Sequence, residues 1–378
     1  MQTFSTPLGD FHLARYPLRK KDPLRAWDAA DTHLIRELAD SESAWQALSV
    51  LLINDSFGAL ALPLSASRPQ LLSDSYLSHC GVQYNLHLNN RPSDTVRLLT
   101  SLESPQGSVD LVLIKIPKTL ALLEDQLYRI RPHLHAETRI VGAGMVKQIH
   151  NSTLQLFERI IGPTRTSLAV QKSRLIHCSF NQQLDPGTSP YPTSYQLERP
   201  ELRLVNHANL FSREHLDLGT RLLLDHLPEG SETGRIIDLG CGNGIIGLLA
   251  AERNPLAELV FTDESFMAVA SAELNFRGRF GNRRKAQFLA SNCLQGIPSA
   301  SVDLILNNPP FHQQRAVGDQ IAWEMFQMSR TALKRGGRLL LVGNRHLGYH
   351  VKLKRLFGNC SVVASDRRFV VLEAHKTG

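Results

Sequence analysis

Val302-Asp303-Leu304-Ile305-Leu306-Asn307-Asn308-Pro309-Pro310-Phe311 is the stretch from which the rest of the chain can be read. Its first five residues are an apolar run of the length of a short buried strand, closed by turn-forming residues. The two prolines cannot continue a strand ladder, so the chain must leave the sheet there as a fixed, extended loop. That loop offers a side-chain amide, carbonyls without competing N–H groups, and an aromatic ring. Such an inventory suits a flat ring carrying an exocyclic NH2. The carbonyls of Asn308 and Pro309 would accept hydrogen bonds from the amine, and Phe311 would stack on the ring face. Held in that way, the nitrogen lone pair turns out of the ring plane and becomes a nucleophile.

The same frame occurs earlier in the chain. Val109-Asp110-Leu111-Val112-Leu113 matches Val302-Asp303-Leu304-Ile305-Leu306, with Pro117 following at the distance of Pro310. Leu71-Leu72-Ser73-Asp74-Ser75 echoes Val260-Phe261-Thr262-Asp263-Glu264-Ser265, and Ile53-Asn54-Asp55-Ser56-Phe57-Gly58 is matched to Ile237-Asp238-Leu239-Gly240-Cys241-Gly242. In both halves short apolar runs alternate with helical stretches, which implies parallel sheets covered by helices. Residues 11–48 read as helical, with Trp27, Ala30, Leu34 and Leu38 forming a core-facing stripe. Residues 181–200, with Pro186, Pro190, Pro192 and Pro200 among polar turn-formers, read as a linker. The expectation is an α/β protein of two tandem Rossmann-like domains arising from a duplication, residues 1–185 and 186–378. The first copy keeps the frame without the chemistry, with Ile-Lys-Ile-Pro where the second has Asn-Asn-Pro-Pro.

Between the strand of Ile236-Ile237 and the helical run from Ile245 lies Asp238-Leu239-Gly240-Cys241-Gly242-Asn243-Gly244. Glycines at a strand-to-helix turn let a ligand approach the backbone. Gly242-x-Gly244-x-x-Gly247 also satisfies the dinucleotide fingerprint. However, Asp238 at the strand end would repel a pyrophosphate, and hydride transfer has no need of the amine-binding loop at Asn308. A carboxylate suits an amino-acid ammonium instead. Asp263 ends the next strand, where a βαβ unit puts the residue that binds ribose hydroxyls, and Asn292 follows the next, ready for an adenine edge. Asp238, Gly240, Gly242, Gly244, Asp263 and Asn292 thus describe a pocket for S-adenosylmethionine, with Asn308 at its border.

These residues resemble the class I S-adenosylmethionine-dependent methyltransferases acting on exocyclic or amide nitrogen. Asn206-His207-Ala208-Asn209-Leu210-Phe211-Ser212, followed by Leu216-Asp217-Leu218-Gly219-Thr220, resembles the helix-opening motif of ribosomal RNA guanine-N2 methyltransferases. Two types share that motif, type C acting on the small ribosomal subunit and type G on the large. With the duplicated first copy, Asp238-Leu239-Gly240-Cys241-Gly242-Asn243-Gly244 and Asn308-Pro309-Pro310-Phe311-His312-Gln313-Gln314, the whole chain most resembles type G, end to end. It implies methylation of N2 of one guanine in 23S ribosomal RNA, with Asn308, Pro309, Pro310 and Phe311 as the catalytic loop and Asp238, Gly240, Gly242 and Gly244 as the cofactor loop.

The bulk composition agrees with that reading. At 378 residues, 42% hydrophobic and 20% charged, the chain has the make-up of a soluble globular protein. Its net charge of +7 favours an anionic partner. Arg277, Arg279, Arg283, Arg284 and Lys285 form the densest basic group and are candidates for phosphate contact; Lys352, Lys354 and Arg355 form a second group. Five scattered cysteines without a CxxC pair indicate neither a zinc site nor a disulfide framework. A cytoplasmic monomer that binds ribosomal RNA and no metal or membrane is expected, its first domain serving RNA recognition. His312 reads as an ordinary histidine beside the loop. Rival readings are a protein-glutamine N5-methyltransferase, an adenine-N6 nucleic-acid methyltransferase and, from another class, a non-catalytic RNA-binding assembly factor.

Overall fold

A computed structural model describes residues 1–19, 22–40, 45–199, 201–230, 234–310 and 315–378. The chain divides into two compact units, Met1–Tyr191 and Pro192–Gly378. In the first, β1 (Gln2–Thr6) and β2 (Gly9–Leu13) pair as a hairpin, followed by α1 (Ala29–Ala39). The sheet then uses β3 (Val50–Ile53), β4 (Gln70–Ser73), β5 (Arg97–Thr100), β6 (Leu111–Lys115), β7 (Arg139–Met145), β8 (Thr164–Thr166) and β9 (Ser173–Ser179). Helices α2 (Tyr76–Leu88), α3 (Leu120–Ile130) and α4 (Asn151–Ile160) lie between them in sequence.

The second unit repeats this order. A hairpin of β10 (Thr193–Glu198) and β11 (Glu201–Asn206) precedes α5 (Leu218–Leu224). The sheet comprises β12 (Arg235–Leu239), β13 (Glu258–Asp263), β14 (Ala286–Ala290), β15 (Val302–Asn307), β16 (Leu333–Asn344), β17 (Ser361–Ser365) and β18 (Phe369–His375). Its helices are α6 (Ile245–Arg253), α7 (Phe266–Phe280), α8 (Arg315–Ala332) and α9 (Tyr349–Phe357). The strand orders β5-β4-β3-β6-β7-β9-β8 and β14-β13-β12-β15-β16-β18-β17 are the same topology written twice.

Both units are therefore Rossmann-like α/β, as expected, with an edge the alternation alone did not predict. In each sheet the sixth strand pairs antiparallel with the fifth, and the seventh pairs antiparallel with the sixth. Two other expectations change. Residues 11–13 close a hairpin rather than open a helix, and the helix in this region begins only at Ala29, where Asp28 caps it. Ala30, Leu34 and Leu38 are its buried stripe, whereas Trp27 precedes it. Part of the expected linker is also a strand: Leu197 and Leu204 bury one face of the β10–β11 hairpin, an alternation that the flanking prolines mask.

Central strands are buried on both faces, so successive residues enter different cores. Ile236 and Leu304 face one layer with α6, while Ile237 and Ile305 face the other with Phe326 of α8. The amide of Gly240 donates to the Thr262 carbonyl at 2.8 Å, and that of Asn54 donates to the Leu72 carbonyl at 3.0 Å. Asp303 accepts from the N–H of Arg235 and Asp110 from that of Ser49, both at 2.8 Å. These matched bonds set the equivalence of the copies, and it corrects the sequence alignment of residues 53–58 by two positions and that of residues 71–74 by one. Asp238 corresponds to Leu52, Gly240 to Asn54, Asp263 to Ser73 and Asn308 to Lys115.

Candidate functional site

Asp238, the glycine turn, Asp263, Asn292 and Asn308 gather at the carboxyl ends of β12, β13, β14 and β15, where an open α/β sheet receives its ligands. Asp238 is fully buried in β12. Its Oδ2 accepts from the Gly247 amide at 2.8 Å, and its Oδ1 is buried without a hydrogen-bond partner. Burial pushes this carboxyl up to about 8, against the Gly247 hydrogen bond, and nearby Asp263 adds to the rise. A cation seated at Oδ1 would supply the missing donors.

The turn that follows has left-handed residues at Gly240, Gly242 and Gly244. A Cβ at Gly244 would lie 2.8 Å from the Ala272 side chain, so this glycine is needed for contact with α7. Nothing lies within 4 Å of a Cβ on Gly242, so this part of the loop faces open space that a ligand can use. Asp263 ends β13 and draws the loop toward itself, accepting from the Gly242 amide at 3.0 Å and from the Ser265 amide at 3.0 Å. Asn292, just beyond β14, donates its amide N–H to Glu324 at 2.9 Å, which leaves its carbonyl oxygen as the group available to an exocyclic amine. An unmatched buried carboxylate oxygen, an open glycine turn, a strand-end carboxylate and an amide oxygen together fit S-adenosylmethionine. The ammonium would go to Asp238, the ribose to Asp263 and the adenine edge to Asn292.

Asn307 and Asn308 differ in their surroundings despite being adjacent. Asn307 is fully buried and donates to the Leu239 carbonyl at 2.7 Å, tying β15 to β12. Asn308 is partly exposed; its Nδ2 donates to Thr220 Oγ1 at 2.8 Å and approaches Asp217 Oδ2 at 3.4 Å. Its Oδ1 is buried without a hydrogen-bond partner. Pro309 is buried and Pro310 partly so. Phe311 and His312, together with Lys20 and Lys21 near the amino terminus, lie outside the described residues.

Comparison with known proteins decides the family. A model of the RLMG N-terminal domain matches residues 1–182, and a model of the methyltransferase small domain matches residues 201–373. A ribosomal RNA large subunit methyltransferase G of Streptomyces griseus is 50% identical over 383 residues, covering 100% of both chains. The chain belongs to the ribosomal RNA large subunit methyltransferase G family. A member from Stutzerimonas stutzeri is 48% identical over 377 residues, again covering 100% of both. Among solved structures, a T. thermophilus 16S rRNA N2 G1207 methyltransferase in complex with AdoMet and guanosine superposes with a TM-score of 0.77 at 22% identity. That match covers 99% of this chain and 97% of the other, and it shows the shared fold.

In this member of the methyltransferase G family, the basic group expected to meet phosphate lies away from the pocket. Its loop opens β14, at the amino ends of the parallel strands, on the order of 15 Å along the strand direction from the pocket. Three of its arginines have intramolecular work. Arg284 donates to the carbonyls of Ala251, Asn254 and Ala257 at the end of α6, and burial lowers its pKa. Arg279 pairs with Glu252, and Arg277 with Glu273 while covering the Phe288 ring. Arg283 and Lys285 remain exposed. In the second group, Lys352 pairs with Asp319 and Arg355 lies over Trp323.

Sequence reasoning missed a buried amide network in the methyltransferase. Asn243 of the glycine turn donates to Asn206 of β11 at 2.9 Å, and Asn275 of α7 donates to the carbonyls of Asn243 and Val205. These bonds hold the β10–β11 hairpin against the glycine turn. A polar asparagine on the apolar side of α7 was the available signal. Among the described residues no helix is long and apolar enough to cross a membrane, and no three metal-ligating side chains converge.

Proposed function

We propose that this methyltransferase uses S-adenosylmethionine to methylate the exocyclic N2 of one guanine in 23S ribosomal RNA. The observation that carries the reading is the buried, unpartnered Oδ1 of Asn308 at the end of β15, adjoining the glycine turn. It is an acceptor with no donor, at the border of a pocket suited to a nucleoside cofactor. An exocyclic amine donating to it gains a hydrogen bond and a fixed direction. S-adenosylmethionine supplies an electrophilic methyl group. Asn308 and the Pro309 carbonyl hold the amine so that its lone pair faces that methyl, and Phe311 stacks on the base once it has left its helix. The N–CH3 bond forms as the S–CH3 bond breaks, and the amine proton then passes to water. Rate comes chiefly from holding two partners in line.

The family's name and the net charge of +7 support an RNA substrate. The first unit cannot duplicate the chemistry, because Leu52, Asn54, Ser73 and Lys115 stand where the second unit has Asp238, Gly240, Asp263 and Asn308. Its proposed role is RNA recognition, within a cytoplasmic monomer. Of the basic loop, Arg283 and Lys285 are the candidates for phosphate contact. Reversing both charges is expected to weaken RNA binding and lower the slope of log affinity against log salt by about 2. An unchanged slope in a filter-binding titration would remove them from the interface.

The function is tested with radiolabelled S-adenosylmethionine and three acceptors: ribosomal RNA lacking the modification, DNA, and release-factor protein. Label in large-subunit RNA, recovered as N2-methylguanosine, is the expected result. Label recovered only as N6-methyladenine or only in protein would replace the reading with one of its chemical rivals. No transfer to any acceptor by a cofactor-binding protein would favour the assembly factor.

A further inference from the structure

We propose that Asp217 and Thr220 are positioning residues for the reaction, orienting the Asn308 amide so that its oxygen, and not its nitrogen, faces the substrate amine. The inference rests on Asn308 acting as the amine's acceptor, as proposed above. An asparagine amide presents two opposite faces, and only its oxygen can accept from an NH2 group. If the amide turned over, Nδ2 would oppose the amine donor to donor and expel it.

The residues that prevent this turn sit at the start of α5. Asp217 is its N-cap, with Oδ2 accepting from the Thr220 amide at 2.8 Å and from the Thr220 hydroxyl at 3.2 Å. With its proton committed to Asp217, Thr220 Oγ1 presents a lone pair to Asn308 Nδ2 at 2.8 Å. Asp217 Oδ2 itself stands 3.4 Å from that nitrogen. Both groups facing Nδ2 are thus acceptors, so the flipped amide would oppose oxygen to oxygen. The hydrogen-bonded relay from amide to hydroxyl to carboxylate also polarises the amide toward its oxygen. The cap thereby has a second duty, because an N-cap carboxylate ordinarily serves only backbone N–H groups of the helix start.

The first unit supplies an internal comparison. There Asp28 caps α1, and Asp31 stands three residues on, as Thr220 does after Asp217. The residue equivalent to Asn308 is Lys115, whose Nζ lies 2.7 Å from Asp28 and 2.8 Å from Asp31. The same three positions meet in both copies. In the first unit a lysine fills the place with an ion pair and presents no acceptor to a substrate. In the second the partner is an amide and the third group a neutral hydroxyl, so an oxygen is left over. An acceptor-only environment at the helix start is common to the two; what differs is whether the group it holds has a second, unused end.

The test compares T220V, which keeps the shape and loses the hydroxyl, with T220S, which keeps it. Expected for T220V is a kcat about 10- to 100-fold lower, with cofactor Kd and RNA KM within about twofold and an unchanged melting temperature. T220S restores kcat to near the wild-type value. A T220V enzyme with wild-type kcat would overturn the inference, as would equal loss in T220S and T220V. So would a T220V loss appearing wholly in cofactor Kd. Activity of the wild-type protein toward unmodified ribosomal RNA, measured alongside, separates this outcome from failure of the proposed reaction: an inactive wild type overturns the reaction and the inference that rests on it.

Discussion

Replacing Asn308 with alanine is expected to lower methyl transfer by about 1000-fold or more while leaving cofactor affinity nearly intact. Loss of a single aligned polar group at a reacting centre commonly costs about 100- to 1000-fold. Here the same side chain also sets the direction of the amine lone pair. The substitution removes the Oδ1 acceptor and leaves Thr220 Oγ1 and Asp217 Oδ2 facing the substrate, to which they would bind at the wrong distance and angle. Cofactor binding should survive because Asp238, the glycine turn, Asp263 and Asn292 are held by bonds in which the Asn308 side chain takes no part. Single-turnover kinetics with labelled cofactor, together with calorimetric cofactor binding, measure the two effects separately. Turnover within tenfold of wild type would remove Asn308 from the reaction.

Converting Asp238 to asparagine should have the opposite pattern, a large loss of cofactor affinity accompanied by a change in pH dependence. Burial raises the Asp238 carboxyl to about 8 in the folded chain, with a contribution from Asp263, from an ordinary value of 3.8. Between those values the folded state holds a proton that the unfolded state has released. By linkage, its contribution to stability is full below about pH 4 and declines as pH rises toward about 8. A cofactor ammonium at Oδ1 favours the carboxylate, so binding expels that proton. Affinity should therefore rise with pH up to about 8, by at most about tenfold per pH unit. In D238N this slope disappears, affinity falls about 10- to 100-fold at pH 8 for want of the charged hydrogen bond, and the cofactor-free protein becomes more heat-stable at pH 8 relative to wild type. Titration calorimetry at several pH values in buffers of different ionisation enthalpy counts the released proton. A pH-independent wild-type affinity would place the ammonium elsewhere.

Much of this protein was legible along the chain because the relevant physics is local. Two prolines after an apolar strand force an extended loop, and three glycines after a strand make a turn open to a ligand, so Asn308 and the Asp238–Gly244 segment could be singled out without coordinates. The alternation of strands and helices, and its recurrence, pointed to two Rossmann-like units. What could not be read locally was offset and direction. Strand side chains alternate with period two, so sliding one copy past the other by two residues preserves every inward and outward position. Only the bonds of Gly240 to Thr262 and of Asn54 to Leu72 set the true equivalence there, putting Leu52 opposite Asp238, whereas Lys115 already stood opposite Asn308 in the matched Val-Asp-Leu runs.

Charge and pairing across long separations were likewise decided by tertiary structure. Arg277, Arg279, Arg283, Arg284 and Lys285 are one basic cluster in sequence, yet the fold turns Arg284 onto the carbonyls that end α6 and leaves Arg283 and Lys285 exposed at the surface. Asp217 and Thr220 read as part of a helix-opening motif, with nothing in the sequence to say what they touch. They reach Asn308 across 91 and 88 residues because α5 begins beside the carboxyl end of β15. A residue's chemistry and its local backbone are properties of its neighbours in the chain, and these the sequence contains. Which amide face is held and which is left free depends on groups brought together by packing, and that only the folded molecule decides.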